Sequence, residues 1–236
     1  MKAPIALAVD TSDLNTALSW IDATSDSVAV YKLGLEFFLN FGAEGVAAVK
    51  SRTDSDIFLD LKLHDIPHTV AGAAGAIAIL KPRFLTVHSS GGRAMITAAA
   101  LAAPDINITA VTVLTSLSES DLFEIGYASA ALESAVALAK LAVDAGAKAL
   151  VCSPLETAAI RSAVGPSPII ITPGVRPLEQ VGQDDQVRTM TPSDAISAGA
   201  NYVVIGRPIT KAWEFGPAAM REQSRKLADE ILEARA

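Results

Sequence analysis

Eight short β-branched runs, each followed by a longer Ala- and Leu-rich stretch of helical period, constrain this chain more than any other feature. The runs are Ile5–Val9, Val28–Leu33, Ile57–Lys62, Phe84–His88, Ile108–Leu114, Ala149–Cys152, Ile169–Thr172 and Tyr202–Ile205. Spread over 236 residues, they give roughly 30 residues per unit, the size of one strand, one helix and two short loops. The runs are nearly continuous in apolar residues rather than alternating, as parallel strands buried on both faces require. The pattern therefore predicts an α/β chain folded as a single-domain (β/α)₈ TIM barrel over residues 1–236, with an open doubly wound sheet as the structural rival.

Local signals agree with that reading. Thr11-Ser12-Asp13, Ser153-Pro154 and Thr191-Pro192 read as helix starts, and Gly146 and Gly199 as helix stops. From Pro217 to Ala236 the apolar residues Met220, Leu227, Ile231 and Leu232 recur at helical spacing among alternating charges, which predicts a closing amphipathic helix. No Pro-, Gly- or Ser-rich linker divides the chain, and Pro173 to Met190 is the one long polar loop of its second half, expected to be mobile.

Composition excludes several functions. The formal charge is 19 − 26 = −7 with no dense basic block, which argues against a sequence-independent grip on nucleic acid. Cys152 is the single cysteine, so an intramolecular disulfide and multi-cysteine metal sites are excluded and a cytoplasmic location is expected. The run Ile5–Val9 is too short for a signal-peptide core, and no apolar stretch approaches about 18 residues, so neither secretion nor a membrane span is expected.

In such a barrel, chemistry collects where strands end and βα loops begin. Asp10 closes the first strand, Lys32 ends the second, Asp60 and Lys62 end the third and His88 the fourth. A ring of such charges requires mutual pairing or a polar ligand, because each would be costly to bury alone. Asp60 and Lys62 are two apart and so share one strand face. With Lys32 and Asp65 they form an alternating Lys–Asp–Lys–Asp array, in which each ammonium holds a carboxylate ionised and is itself held protonated. Spacing alone also admits an ion-pair cluster that merely closes the barrel mouth.

Other patterns carry less. His64 and His68 are four apart, but Pro67 between them places the segment at a loop entering a helix rather than on one metal-binding helix face. His88-Ser89-Ser90-Gly91-Gly92 reads as an anion-binding nest or as a tight turn. At the eighth strand's end Gly206 permits close backbone approach and Arg207 can fork onto phosphate, in the place where barrels often bind phosphate, although a glycine turn beside a surface arginine has the same pattern. The long loop adds Arg176 and Gln186 as groups able to close over the same anion. Cys152 reads as packing rather than as a nucleophile, and Ser116 has no histidine–acid context.

The segment Asp60-Leu61-Lys62-Leu63-His64-Asp65-Ile66-Pro67 closely resembles the signature of the orotidine 5′-monophosphate decarboxylases. The resemblance extends over essentially the whole chain. Ala8-Val9-Asp10, Lys32-Leu33-Gly34, Val87-His88 with Gly91-Gly92, Val113-Leu114-Thr115-Ser116, Thr172-Pro173-Gly174-Val175-Arg176, Asp185-Gln186 and Ile205-Gly206-Arg207 follow in the family's order. It implies that Lys62 donates a proton to C6 as carbon dioxide leaves, that Asp60 lies against the departing carboxylate, and that Lys32 ties Asp60 into the network. It further implies a homodimer in which Asp65 and Thr69 reach the partner's substrate, with Asp10 and Lys32 at the ribose and Thr115 at the pyrimidine, or Ser116 if the strand register slips by one. Gln186, Gly206 and Arg207 are implied at the phosphate, with Arg176 at the closing loop. The substrate would be orotidine 5′-monophosphate and the product UMP, with no metal or organic cofactor.

Two other functions compete. Magnesium-dependent sugar-phosphate decarboxylases and aldolases of the same wider barrel group share an Asp-x-Lys-x-x-Asp strand, but carry an acidic metal ligand where this chain has Lys32, and an ammonium there would repel the cation. A non-catalytic phosphate-ligand binder on a barrel scaffold would bind nucleotide and release no carbon dioxide.

Overall fold

The computed structural model describes residues 2–175 and 190–234. Its strands are β1 (Ala3–Ala8), β2 (Val28–Gly34), β3 (Asp56–Leu63), β4 (Phe84–His88), β5 (Asn107–Val111), β6 (Ala149–Val151), β7 (Ile169–Thr172) and β8 (Tyr202–Ile205). All neighbours pair in parallel, and β1 pairs with both β2 and β8, which closes the barrel and excludes the open doubly wound sheet. The helices are α1 (Leu14–Thr24), α2 (Leu35–Lys50), α3 (Pro67–Ala78), α4 (Gly92–Ala102), α5 (Glu119–Glu124), α6 (Ala131–Asp144), α7 (Thr157–Val164), α8 (Pro192–Ser197), α9 (Arg207–Thr210) and α10 (Pro217–Glu233).

The expected caps form. Asp13 accepts from Thr16 N at 2.6 Å to start α1, Thr191 accepts from Asp194 N at 3.2 Å to start α8, and Ser153 caps the 3₁₀ turn Pro154–Glu156. Gly146 and Gly199, at φ 100° and 108°, follow the ends of α6 and α8 in the left-handed region open to glycine. In α10 the buried residues Met220, Leu227 and Ile231 form the inward stripe, and Ser224 Oγ meets Ser27 Oγ at 2.6 Å.

Two strand boundaries differ from the sequence reading by more than one residue. β1 starts at Ala3 rather than Ile5, because Ala3 N donates to Ser27 O at 2.9 Å and the register shift between Ala3 and Ala6 accommodates Pro4, which has no N–H. β5 ends at Val111 rather than Leu114. Thr112 still donates to Val151 O at 3.0 Å, but Val113 and Leu114 leave the ladder to line the cavity at the barrel mouth.

Alternation along each strand builds two cores. Outward residues such as Ile5, Leu7, Leu33, Ile57, Leu59, Leu85 and Val203 pack against the helices. Inward residues Ala6, Val30, Phe58, Phe84, Ala149 and Ile171 fill the barrel interior. Further along the same inward rows stand Lys32, Asp60 and Thr86, so the interior turns from apolar to polar toward the strand C-termini.

Candidate active site

A cavity of about 270 Å³ opens at the C-terminal ends of the strands. Asp10, Lys32, Asp60, Lys62, Thr115, Gly206 and Arg207 line it, residues drawn from five separate strand ends or the loops that follow them. Val113, Leu114, Val151 and Pro173 give it an apolar wall suited to a flat ring.

Asp60 stands at the centre. Lys62 Nζ lies 2.9 Å from its Oδ1 and Lys32 Nζ 3.4 Å from its Oδ2, so each carboxylate oxygen has its own ammonium. The Asp60 side chain is 12% exposed and that of Lys32 11%. Burial alone would raise the Asp60 pKa. The charges of Lys32 and Lys62, with hydrogen bonds from Lys62 and Thr86, outweigh that and hold it below the usual carboxylate range. Lys32 Nζ also reaches Asp10 Oδ1 at 3.5 Å, a looser contact because the Asp10 side chain is 59% exposed.

Local backbone geometry makes this clustering work. A Cβ at Gly34 would stand 3.3 Å from Asp10 Oδ1 and 3.4 Å from Lys32 Nζ, so the glycine at the end of β2 leaves room for that pair. Between β3 and β4 the register runs Leu59 to Leu85 and then Leu63 to Val87, a bulge in β3 that carries Asp60 and Lys62. Lys62 within it adopts φ 49°, in the left-handed region that costs a side-chain-bearing residue energy. Its backbone N–H donates to Thr86 Oγ1 at 2.7 Å, and Thr86 Oγ1 donates to Asp60 Oδ1 at 3.1 Å. Nothing in the sequence marked Thr86, since a threonine in Phe-Leu-Thr-Val-His reads as an ordinary strand residue.

Other expected residues lie elsewhere. Asp65 and Thr69 are exposed and do not line the cavity, and the Asp65 carboxylate accepts from Ile66 N at 2.6 Å. Within one chain the array is therefore Lys32–Asp60–Lys62, without Asp65. Arg176 and Gln186 lie outside the described residues, as does most of the loop between Pro173 and Met190. Of Thr115 and Ser116, the first lines the cavity.

His68 falls in the first turn of α3, while His64 precedes that helix and stacks at 5.3 Å on His88. His88 is held below its ordinary pKa, chiefly by burial and then by His64 and Lys62, against the opposing pull of Asp60. The Ser89–Gly92 segment is a tight turn rather than a nest on the cavity. A Cβ at Gly91 would collide with the Met95 thioether, and the segment does not line the cavity. The Cys152 thiol borders the cavity, but burial pushes its pKa up to about 12, which keeps it protonated and a poor nucleophile.

Residues 3–221 match the model of the orotidine 5′-phosphate decarboxylase / HUMPS family. The chain belongs to this family. It is 52% identical over 219 residues to an orotidine 5′-phosphate decarboxylase of Thermobifida fusca, covering 93% of this chain and 94% of that protein. It is 48% identical to the orotidine 5′-phosphate decarboxylase of Frankia casuarinae, covering 92% and 85% of the two chains. The crystal structure of the Lactobacillus acidophilus orotidine 5′-phosphate decarboxylase superposes with a TM-score of 0.80 at 34% identity, covering 97% of this chain and all of that one. In this chain the Asp-x-Lys pair of β3 meets Lys32, two residues before the end of β2.

Proposed function

We propose that this chain is a carboxy-lyase that converts orotidine 5′-monophosphate to UMP and carbon dioxide, in pyrimidine biosynthesis. The observation that carries the reading is the carboxylate of Asp60 held between Lys62 Nζ at 2.9 Å and Lys32 Nζ at 3.4 Å on the wall of the mouth cavity. Loss of carbon dioxide from C6 leaves an sp² carbanion whose lone pair lies in the ring plane, without π delocalisation. Fixed positive charge at that carbon is then the main source of stabilisation, and an ammonium supplies both charge and proton.

In this reading Lys62 delivers its proton to C6, Asp60 lies against the departing carboxylate, and Lys32 keeps Asp60 in place. Asp10 and Lys32 hold ribose hydroxyls, and Thr115 meets the pyrimidine edge. Gly206 and Arg207 bind the phosphate, joined by Gln186 and Arg176. Phosphate binding supplies energy for assembling the site, so substrate lacking the phosphate loses turnover as well as affinity. The chain acts as one catalytic unit of a homodimer, with Asp65 and Thr69 serving the partner's site, and it works in the cytoplasm. No described helix is long and apolar enough to cross a membrane.

The magnesium-dependent alternative is disfavoured by charge. A divalent cation beside Asp60 would face the two ammoniums that already pair it.

The test is turnover of orotidine 5′-monophosphate by purified protein in EDTA, followed by loss of substrate absorbance and identification of UMP. Metal-independent UMP formation is the expected result, and folded protein without turnover would overturn the reading. Dimer sharing has its own test. Lys62→Ala and Asp65→Asn chains, each inactive alone, regain activity when mixed into hybrid dimers, because one of the two sites then has both residues intact. Hybrids that stay inactive would put Asp65 in the site of its own chain.

A further inference from the structure

The bulge in β3 raises a structural problem that one side chain of β4 solves. With two extra residues between the pairs Leu59–Leu85 and Leu63–Val87, the Lys62 amide has no β4 carbonyl in register to pair with. Its N–H goes instead to the hydroxyl of Thr86, which is fully buried. An amide nitrogen can only donate, so the Thr86 oxygen must accept from it, and the hydroxyl proton is left to point elsewhere. It points at Asp60 Oδ1, 3.1 Å away, the same oxygen that receives Lys62 Nζ at 2.9 Å. The hydroxyl thus joins the backbone of the lysine to the carboxylate that its own side chain pairs with. That closed ring of contacts holds Lys62 at φ 49°, a conformation it would otherwise avoid.

We propose that Thr86 is a positioning residue for the decarboxylation. Its hydroxyl locks the Lys62 backbone to the Asp60 carboxylate and so fixes both the place of the ammonium and the ionised state of its partner. The inference rests on the reaction proposed above. It adds a residue outside the charged array, on a neighbouring strand, that does not line the cavity.

Thr86→Val keeps the shape and removes the hydroxyl, whereas Thr86→Ser keeps the hydroxyl and removes a methyl. With the proton donor displaced by a fraction of an ångström to an ångström, Thr86→Val is expected to lower kcat about 100-fold and to change KM by less than about threefold. The acid limb of its kcat–pH profile should move to higher pH, because Asp60 has lost a hydrogen bond to its charged form. Thr86→Ser should return kcat to within about threefold of wild type and restore the profile.

A second readout does not depend on turnover. Carbon-13 titration of the Asp60 carboxyl in the unliganded protein should show its midpoint raised in Thr86→Val and unmoved in Thr86→Ser. If Thr86→Val fails to fold, Thr86→Ala takes its place in both measurements. Unchanged kcat and acid limb in the variant without the hydroxyl would overturn the proposal, as would a serine variant as impaired as valine. Failure of the wild type to turn over substrate, with the carboxyl titration behaving as expected, would instead remove the decarboxylase reading and leave the hydroxyl's coupling to Asp60 standing.

Discussion

At the N-terminal end of the barrel Phe58 and Phe84 meet edge to face at 5.7 Å, Phe84 and Tyr202 at 5.8 Å, and Arg83, paired with Asp56, lies over both Phe84 and Tyr202. Two residues further along the same inward rows of β3 and β4 stand Asp60 and Thr86, tied to Lys32 and Lys62. One end is a plug of rings whose stability comes from burial and edge-to-face contact. The other is a ring of charges that burial alone would penalise and that only mutual pairing makes tolerable. A single set of strands therefore divides its work along its length, with the lower rows making the barrel rigid and the upper rows spending that rigidity on holding charges in place.

Substitutions at the two ends should fail in different ways. The largest effect is expected for Lys62→Ala, which removes the proposed proton donor while leaving Asp60 paired with Lys32. The kcat for orotidine 5′-monophosphate should fall by about 10⁴-fold or more, with the melting temperature nearly unchanged. Steady-state kinetics with a thermal melt would check it, and retained turnover would contradict it.

Next comes Phe84→Ala in the plug, which should cost about 3–5 kcal/mol of unfolding free energy while the protein that remains folded keeps most of its kcat. Urea unfolding and active-site-normalised rates measure the two parts. A large loss of kcat with little loss of stability would erase the division between the ends.

A smaller effect is expected at the edge of the mouth. Gly34 has φ −87° and ψ −173°, a backbone any residue adopts, so Gly34→Ala acts through space alone. The added methyl would crowd Asp10 and Lys32, and overpacking of this kind should raise KM about tenfold. An unchanged KM would show that the Asp10–Lys32 pair is not held where substrate binds.

The smallest effect is a pH dependence. The folded pKa of His88 lies below that of the unfolded chain, about 6.5, chiefly because burial disfavours the imidazolium. In the window between the two values the unfolded state binds more protons, so stability falls as pH drops through about 6.5 toward the folded pKa. Equilibrium unfolding from pH 8 to pH 5 should show that decline in the wild type and a flatter one in His88→Gln. Equal slopes would mean that His88 does not contribute to it.

The plug and the mouth were also unequally legible in the sequence. The barrel could be read because parallel strands buried on both faces must be apolar runs of strand length, and eight of them alternating with helical stretches leave few architectures. Its misreadings are local. Pro4 hid the start of β1, and the apolar run through Val113 and Leu114 looked like strand although those two residues turn to the cavity. Asp60 and Lys62 were legible because two opposite charges at strand spacing inside an apolar run have no inexpensive explanation other than each other or a ligand.

Thr86 was not legible, because its role arises from a two-residue mismatch between β3 and β4 that neither strand's pattern reveals alone. Asp65 was singled out by its place in the alternating charge array and Thr69 through family resemblance, and both are exposed on the single chain. Neither lines the cavity of its own chain. Arg176 and Gln186, singled out by their place on the long loop and by the resemblance, fall outside the described residues.

The central claim is that charge at the mouth performs the chemistry while the aromatic plug supplies stability. The most direct measurement is kcat together with unfolding free energy for wild type, Lys62→Ala and Phe84→Ala, made side by side with orotidine 5′-monophosphate as substrate. The account predicts a crossed result, in which Lys62→Ala is inactive but stable and Phe84→Ala is active but unstable. A Lys62→Ala protein that still makes UMP, or a stable Phe84→Ala protein that does not, would contradict it.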